Sequence, residues 1–361
     1  MTNQLAQETA TPGWVDHTLA AIWRGGDEVA LESVPVPPLE PGEVLVRVDL
    51  ATVCGSDRHT VSGRRAQPCP SILGHETVGK IVAFGGDGNL KSVDGRQLEL
   101  GQRVIWSETL PCGNCDRCAA GVTAKCRTVR KVGHEAFDSS WALSGGYAEH
   151  VLLPTGMPIA VVDDGVSDAL AAPAACATAT VMAVIERAQP IAGKRVVVIG
   201  AGMLGLTAIA GAADAGAASV TAVDPAAERR EMAKHFGATA VVAAIGDVEQ
   251  ADVLIELSGK ATALQEGIGK LDVQGVAIFA GSVAPDGDIA VDPESVVRRH
   301  LTFSGVHNYE PRHLIQALDF LERSNARFPW ADLVAAPLPL DQIGELLTGA
   351  PGTKPRYSVA P

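Results

Sequence analysis

The sequence has no surplus of positive charge. Its 29 Lys and Arg face 42 Asp and Glu, for a formal net charge of −13. That balance argues against nucleic acid or an anionic membrane as a partner, and leaves room only for a local basic pocket that takes an anionic small molecule. There is no uninterrupted apolar run long enough to cross a bilayer. The Ala-rich stretch 169–185 is interrupted by Pro173 and several threonines. Residues 1–18 have neither a basic start nor an apolar centre, so they read as a loose extension and not as a secretory signal. Internal repeats and low-complexity linkers are missing too. The expected compartment is the cytoplasm, where the 7 cysteines stay reduced and clustered ones point to metal before disulfide.

What is present describes a globular α/β protein. The chain of 361 residues exceeds what one hydrophobic core usually serves, so two domains are expected. Hydrophobic residues at 47% against 20% charged exclude disorder, and 38 glycines suit tight turns between buried strands. Up to about Pro154 the chain reads as short strands (19–23, 29–31, 43–50, 78–83, 102–106 and 147–153) separated by Gly and Pro, a distorted β-barrel. Beyond it, an Ala-rich helix over 167–188, kinked at Pro173, leads into alternating strands and helices. Such alternation predicts a doubly wound parallel sheet covered on both faces. Between the strands near Ala240 and Val253 there is room only for a turn where a crossover helix would normally lie.

Three constellations carry chemistry. The first packs Cys54, Ser56, Asp57, His59, His75 and Glu76 into one short stretch. It holds the thiolate and imidazole ligands that zinc prefers and the hydroxyl and second imidazole that a proton relay needs. The second is Cys112, Cys115, Cys118 and Cys126, four thiols in one loop, which match a closed structural zinc site. Disulfides and an iron–sulfur cluster are the competing uses of such spacing. The third is Gly200-Ala-Gly202-Met203-Leu204-Gly205, set directly after the apolar strand 195–199 and opening a helix. Here Gly200 makes the tight turn, Gly202 admits a pyrophosphate to the backbone, and Gly205 lets helix and strand pack closely. Asp224, after the next strand, is placed to bind the ribose hydroxyls of NAD and to repel a 2′-phosphate. Arg229 and Arg230 just downstream either greet such a phosphate or form a solvated helix face.

Taken in order, Cys54-Gly-Ser-Asp57, Gly74-His75-Glu76 with Gly79, the four-cysteine lobe and the Gly200 fingerprint with Asp224 closely resemble the zinc-dependent medium-chain alcohol dehydrogenase family, which includes sorbitol and threonine dehydrogenases. The match runs from about Leu19 to near the end. The resemblance implies a GroES-like catalytic domain (1–176 and 308–361, with the final amphipathic helix returning to it) and an inserted Rossmann NAD-binding domain (177–307). It implies two zinc ions per chain, one structural on the four-cysteine lobe and one catalytic on Cys54, His75 and Cys176. By itself Cys176, in an Ala-rich helix, reads as a small core residue. Ser56 and His59 would then carry the alcohol proton outward. Asp57 and Glu76 would support the ligands, and Thr180 would lie against the nicotinamide.

The implied function is reversible, NAD-dependent oxidation of a small polar primary or secondary alcohol to an aldehyde or ketone, by a homodimer or homotetramer. A polyol or amino-alcohol dehydrogenase is the alternative within the class, and a non-catalytic nucleotide-binding relative lies outside it. The substrate side is less legible. His307 and Asn308 in Gly305-Val-His-Asn-Tyr309 either reach a polar substrate or serve the loop. That segment, with Arg298, Arg299 and His313, resembles a subgroup associated with phosphonate metabolism. Arg64 and Arg65 either line the cleft or face water, Cys69 has no assigned role, and Lys354 and Arg356 resemble a basic segment that contacts the pyrophosphate.

Overall fold

A computed structural model describes residues 15–350 and 352–361. The N-terminal extension expected over 1–18 therefore lies mostly outside the described residues, and the first strand, His17–Gly25, begins at its end.

The two textures of the sequence become two sheet systems. In the first, His17–Gly25 pairs with Glu28–Pro35 and Ser71–Ile72. A seven-stranded sheet carries Val44–Thr52 and Glu76–Phe84 side by side, antiparallel, with Thr52 opposite Glu76. That register sets the chemistry, because the ends of these two strands deliver Cys54 and His75 to one place. The last strand, Ser358–Ala360, pairs with Val44–Thr52, so the end of the chain closes on the sheet that began it.

The second system is a six-stranded sheet whose strands run in the order Ala240–Val242, Ser219–Val223, Arg195–Ile199, Ala251–Glu256, Leu271–Phe279, Thr302–Gly305, all parallel. Strand order reverses between Arg195–Ile199 and Ala251–Glu256, which is where doubly wound sheets bind nucleotides. The shortened crossover is the 3-10 turn Ile245–Asp247.

The helix Asp168–Arg187 runs between the two systems. It is long and apolar enough to span a membrane by length and composition, yet 78% of its apolar window is buried among Leu50, Val78, Ile105, Val196 and Leu206, which makes it a core helix. Pro173 does not break it. The missing N–H is absorbed by a π-turn at Ala174–Thr178, and Cys176 sits inside that widened turn. The amphipathic helix Arg312–Ser324 packs on this junction helix. Among the later helices it is Ile343–Thr348 that reaches Gly55–Val61. The reason is its apolar stripe: Leu314, Leu318 and Leu321 share a core with Phe236, Phe328 and Trp330.

Candidate active site

Cys54 caps the helix Gly55–Val61. One turn in, the Asp57 carboxylate reaches back and accepts from the Cys54 N–H at 3.0 Å, which fixes where the thiol points. The same Asp57 oxygen accepts from the Tyr147 hydroxyl at 2.9 Å, and its other oxygen lies 3.3 Å from His75 Nδ1. Gly74 takes a φ of +95° before His75, and a Cβ there would press on the Tyr147 ring. Cys176 enters from the π-turn, and the donor atoms of Cys54, His75 and Cys176 all lie within 4.8 Å of one another.

The electrostatics of this trio favour a cation. Burial alone would push the His75 imidazole down, but Asp57 and Cys54 outweigh it and raise it well above the usual range. Cys54 is held well below the usual thiol range by the hydrogen bond from Cys176 and, against the cost of burial, by the Arg356 guanidinium. A pocket that draws a proton onto the imidazole and off the thiol suits a divalent cation among its donors, and two thiolates with one imidazole are a zinc set.

Behind the trio, Glu76 is fully buried and bound at 2.9 and 2.8 Å by Arg356, which also lies 3.5 Å from Cys54 Sγ. Thr52 Oγ1 donates to Glu76 at 2.6 Å. Arg356 is thus a buried partner of the trio, and with Lys354 it also lines the cleft that Gly202 and Met203 border. The reason is that Ser358–Ala360 pairs with Val44–Thr52 and pulls the tail inward. Lys354 binds the Asp332 carbonyl at 2.7 Å. Replacing Arg356 with Met leaves Glu76 uncompensated in the core, and we expect a loss of about 3–5 kcal/mol of stability. Urea unfolding checks this; a change below about 0.5 kcal/mol, the size of an ordinary surface substitution, contradicts it.

A residue that the sequence does not single out completes this centre. Glu108 is buried, accepts from Asn308 Nδ2 at 2.7 Å, and lies 3.7 Å from Cys176 Sγ and 3.6 Å from Lys131 Nζ. Burial opposes its charge, but His75, Lys131 and His134 bring its carboxyl down to about 2. Tyr309 ties this corner together: its hydroxyl accepts from the Glu108 N–H at 3.1 Å and donates to the Ala175 carbonyl. His134 stands beside His75 with ring centroids 5.5 Å apart. Its Nδ1 is 2.7 Å from the Val132 carbonyl, which only accepts, so Nε2 is left as a buried acceptor without a partner among the described residues.

On the open side, Ser56 Oγ lies 3.2 Å from His75 Nε2. His59, half-buried one turn along the helix, borders a cleft of about 850 Å³. Gly202, Met203, Arg229, Lys354 and Tyr357 line the same cleft, so both sheet systems contribute walls. Gly200 has a φ of +93°, and a Cβ on Gly205 would collide with the Gly200 carbonyl, as the fingerprint requires. Asp224 is buried, its oxygens accepting from Ala201 N and Ala226 N at 2.9 Å each. Arg229 approaches it at 3.7 Å, while Arg230 is tied to the Asp224 and Pro225 carbonyls. Thr180, one turn after Cys176, is buried on the junction helix.

The four-cysteine lobe is equally distinct. Cys112, Cys115, Cys118 and Cys126 bring their sulfurs within 4.8 Å of one another, with Cys115 Sγ 3.5 Å from Cys118 Sγ and 3.9 Å from Cys126 Sγ. Four thiolates at about 2.3 Å from one zinc stand about 3.8 Å apart, whereas a disulfide needs about 2.05 Å. Backbone N–H groups of Arg127 and Cys118 hold the Cys115 thiol down to about 6.

Other residues noted in the sequence stand elsewhere. Arg298 pairs with Glu294 on the surface, Arg299 binds the Leu271 carbonyl, and His313 sits against Glu310 and Glu186 at the start of its helix. Cys69 is exposed and lies 4.0 Å from the Trp23 carbonyl. Asn308 does enter the site, and His307 stands at its rim.

Residues 40–163 match the family description "Alcohol dehydrogenase GroES-like domain" and residues 204–323 match "Zinc-binding dehydrogenase". The chain is 29% identical to 5-exo-hydroxycamphor dehydrogenase of Pseudomonas putida, covering 92% of this chain and 95% of that one. It is 31% identical to L-threonine 3-dehydrogenase of Chelativorans sp. (strain BNC1), covering 78% and 80%. A crystal structure of an alcohol dehydrogenase from Thermotoga maritima superposes with a TM-score of 0.87 at 25% identity, over 96% of this chain and 99% of that one. With two thiol-rich donor groups, a barrel and a nucleotide sheet in the same order, the chain belongs to the zinc-dependent medium-chain alcohol dehydrogenase family.

Proposed function

We propose that this chain oxidises a small polar primary or secondary alcohol to the aldehyde or ketone, reversibly, with Cys54, His75 and Cys176 holding the zinc at which the alcohol binds. The observation that carries this reading is the trio itself, three buried donors facing a cleft shared with the nucleotide fingerprint. When bound, zinc supplies the Lewis acidity that eases loss of the alcohol proton, and NAD⁺ accepts the hydride.

The chain's own residues do the rest. Asp57 orients Cys54 and His75, while Arg356, held in place by Glu76, stabilises the Cys54 thiolate from behind. Ser56, beside His75 and next to the cleft, takes the alcohol proton, and His59 passes it to water. His59 is suited to release a proton, because burial and then Arg64 lower it from its usual range. The helix at Met203 presents its N-terminal N–H groups to the pyrophosphate, and Asp224 selects NAD over NADP at the ribose. The four-cysteine lobe keeps all its thiols on a structural zinc and does no chemistry. We assign 1–176 and 308–361 to the catalytic domain and 177–307 to the nucleotide domain, in line with the return of Ser358–Ala360 to the first sheet. We assign the chain to the cytoplasm as a homodimer or homotetramer; Val273, Val283 and Val297 are exposed apolar side chains that a second copy would cover.

The test is an alcohol panel of polyols, aryl or cyclic alcohols and hydroxy acids, read as NADH formation, with NADP⁺ in parallel. NAD⁺ should give the higher kcat/KM, and Asp224→Ser should shift the ratio toward NADP⁺ by about tenfold or more, the effect of one charged contact. No turnover of any alcohol would sink the dehydrogenase reading. A higher kcat/KM with NADP⁺, left unshifted by Asp224→Ser, would sink the assignment of cofactor preference.

A further inference from the structure

The third donor of the trio arrives by an irregularity in its helix, and that irregularity has a partner. A regular α-helix gives each carbonyl the N–H four residues on. At the π-turn Ala174–Thr178 this ladder skips a place. The N–H groups that close the turn bond the carbonyls of Ala174 and Cys176, and Ala175 between them is passed over. The Ala175 carbonyl accepts instead from the Tyr309 hydroxyl. The same hydroxyl accepts from the Glu108 N–H at 3.1 Å, so one buried oxygen joins the turn to the residue that precedes the strand Thr109–Leu110.

The backbone before Tyr309 aims it at this carbonyl. Asn308 takes a φ of +61°, a left-handed conformation that Asn tolerates better than most residues and that the surroundings must still hold in place. Its buried side chain does so: Nδ2 donates to Glu108 at 2.7 Å, and Oδ1 accepts from Lys131 Nζ at 3.0 Å. On the other side, the Val306 N–H bonds the Phe279 carbonyl at 2.9 Å and fixes the segment to the nucleotide sheet. The Tyr309 ring lies in the core that the junction helix shares with Leu314 and Leu318, so packing needs only the ring. The turn needs the hydroxyl, because a buried carbonyl left without a donor is costly and the ladder around Cys176 would rearrange to supply one.

We infer that Tyr309 is a positioning residue for the metal centre, its hydroxyl holding the π-turn in the form that brings Cys176 Sγ beside Cys54 and His75. Tyr309 does not line the cleft, and it acts through the Ala175 carbonyl, one residue from the ligand. The role rests on the reading of Cys176 as a zinc ligand.

The experiment removes the hydroxyl alone, in Tyr309→Phe, and follows the two metal sites of the zinc-loaded protein separately. Release of the trio's zinc to a chelator should quicken by about tenfold or more, the effect of losing a supporting partner of a metal ligand. Release from the four-cysteine lobe should stay as in wild type. With cobalt exchanged into the trio, the thiolate-to-cobalt absorption should weaken and shift, because the Cys176 sulfur no longer meets the metal at its wild-type angle. Wild-type release from the trio, or an unchanged cobalt spectrum, overturns the inference. So does equal acceleration at both sites, which is a general loosening of the fold. Cys176→Ala run in parallel keeps the two readings apart. If that variant retains both zinc ions, the ligand reading of Cys176 has failed; if it loses one while Tyr309→Phe holds both as tightly as wild type, only the role of Tyr309 has failed. Should Tyr309→Phe not fold, hydrogen exchange on the wild type decides. Removing the trio's zinc should speed exchange of the Glu108 amide together with the amides of the π-turn, and a Glu108 amide that does not respond overturns the inference.

Discussion

Cys176→Ala should lower NAD⁺-dependent turnover by about a thousandfold or more while leaving the protein folded. The activity loss follows from the donor count. The trio has only three protein ligands, which is what keeps a coordination position open, and a metal left with two is bound weakly and aimed poorly. Lewis-acid activation is worth several kcal/mol of barrier, and about 4 kcal/mol corresponds to a thousandfold. The fold should survive, because the junction helix is packed through Ala171, Ala172, Ala175 and Val181, and a Cys-to-Ala change removes one sulfur from a turn that is already wide. Circular dichroism and thermal unfolding should therefore match wild type to within about 1–2 kcal/mol. Turnover equal to wild type would remove Cys176 from the ligand set.

Cys115→Ala should do the reverse. Its sulfur touches those of both Cys118 and Cys126, so its loss opens the closed set and releases the lobe's metal. The lobe has little else to hold it. The helix Asp116–Ala119 is a single turn with no buried residue, and Asp116 pairs with Arg127 at the surface. Metal binding here is folding free energy, and its loss should appear as aggregation or a fall in thermal midpoint of about ten degrees or more. The lobe also contacts the segment after Thr302–Gly305, where Thr123 and Ala124 bind Glu310 and Lys125 meets His307, so its loosening should disturb that segment as well. A soluble variant with wild-type midpoint and one zinc fewer would mean that the lobe does not depend on its metal.

The sequence makes one part of this molecule legible and leaves another silent. Strand 195–199, the Gly200 fingerprint and the four-cysteine spacing are local patterns, each dictated by the backbone within a few residues, and the structure repeats them nearly residue for residue. The partners of the trio are not local. Glu76 and Arg356 are 280 residues apart, and Glu108 and Asn308 are 200 apart. A buried ion pair between distant elements leaves no periodicity to read. Arg356 therefore looks like a tail cation until Ser358–Ala360 is seen pairing with Val44–Thr52. Pro173 is legible only in part. It marks an irregularity in the helix, but not that the irregularity is a π-turn that carries Cys176 beside Cys54 and His75.

The cluster from Cys54 to Glu76 also changes meaning in the fold. Ser56 sits against His75 and His59 borders the cleft, while Glu76 is held by Arg356 and Thr52. Glu108, Lys131 and Asn308, which contact one another beside Cys176, lie outside that cluster.

Zinc content per chain, measured on wild type, Cys176→Ala and Cys115→Ala after removal of free metal, tests the central claim most directly. Two donor groups predict two zinc ions in wild type, and the loss of one in each variant. Only the ion lost in Cys176→Ala should take NADH formation with it while the protein stays folded. A wild-type chain that holds a single zinc, or a Cys176→Ala chain that keeps two and turns over normally, would contradict the account.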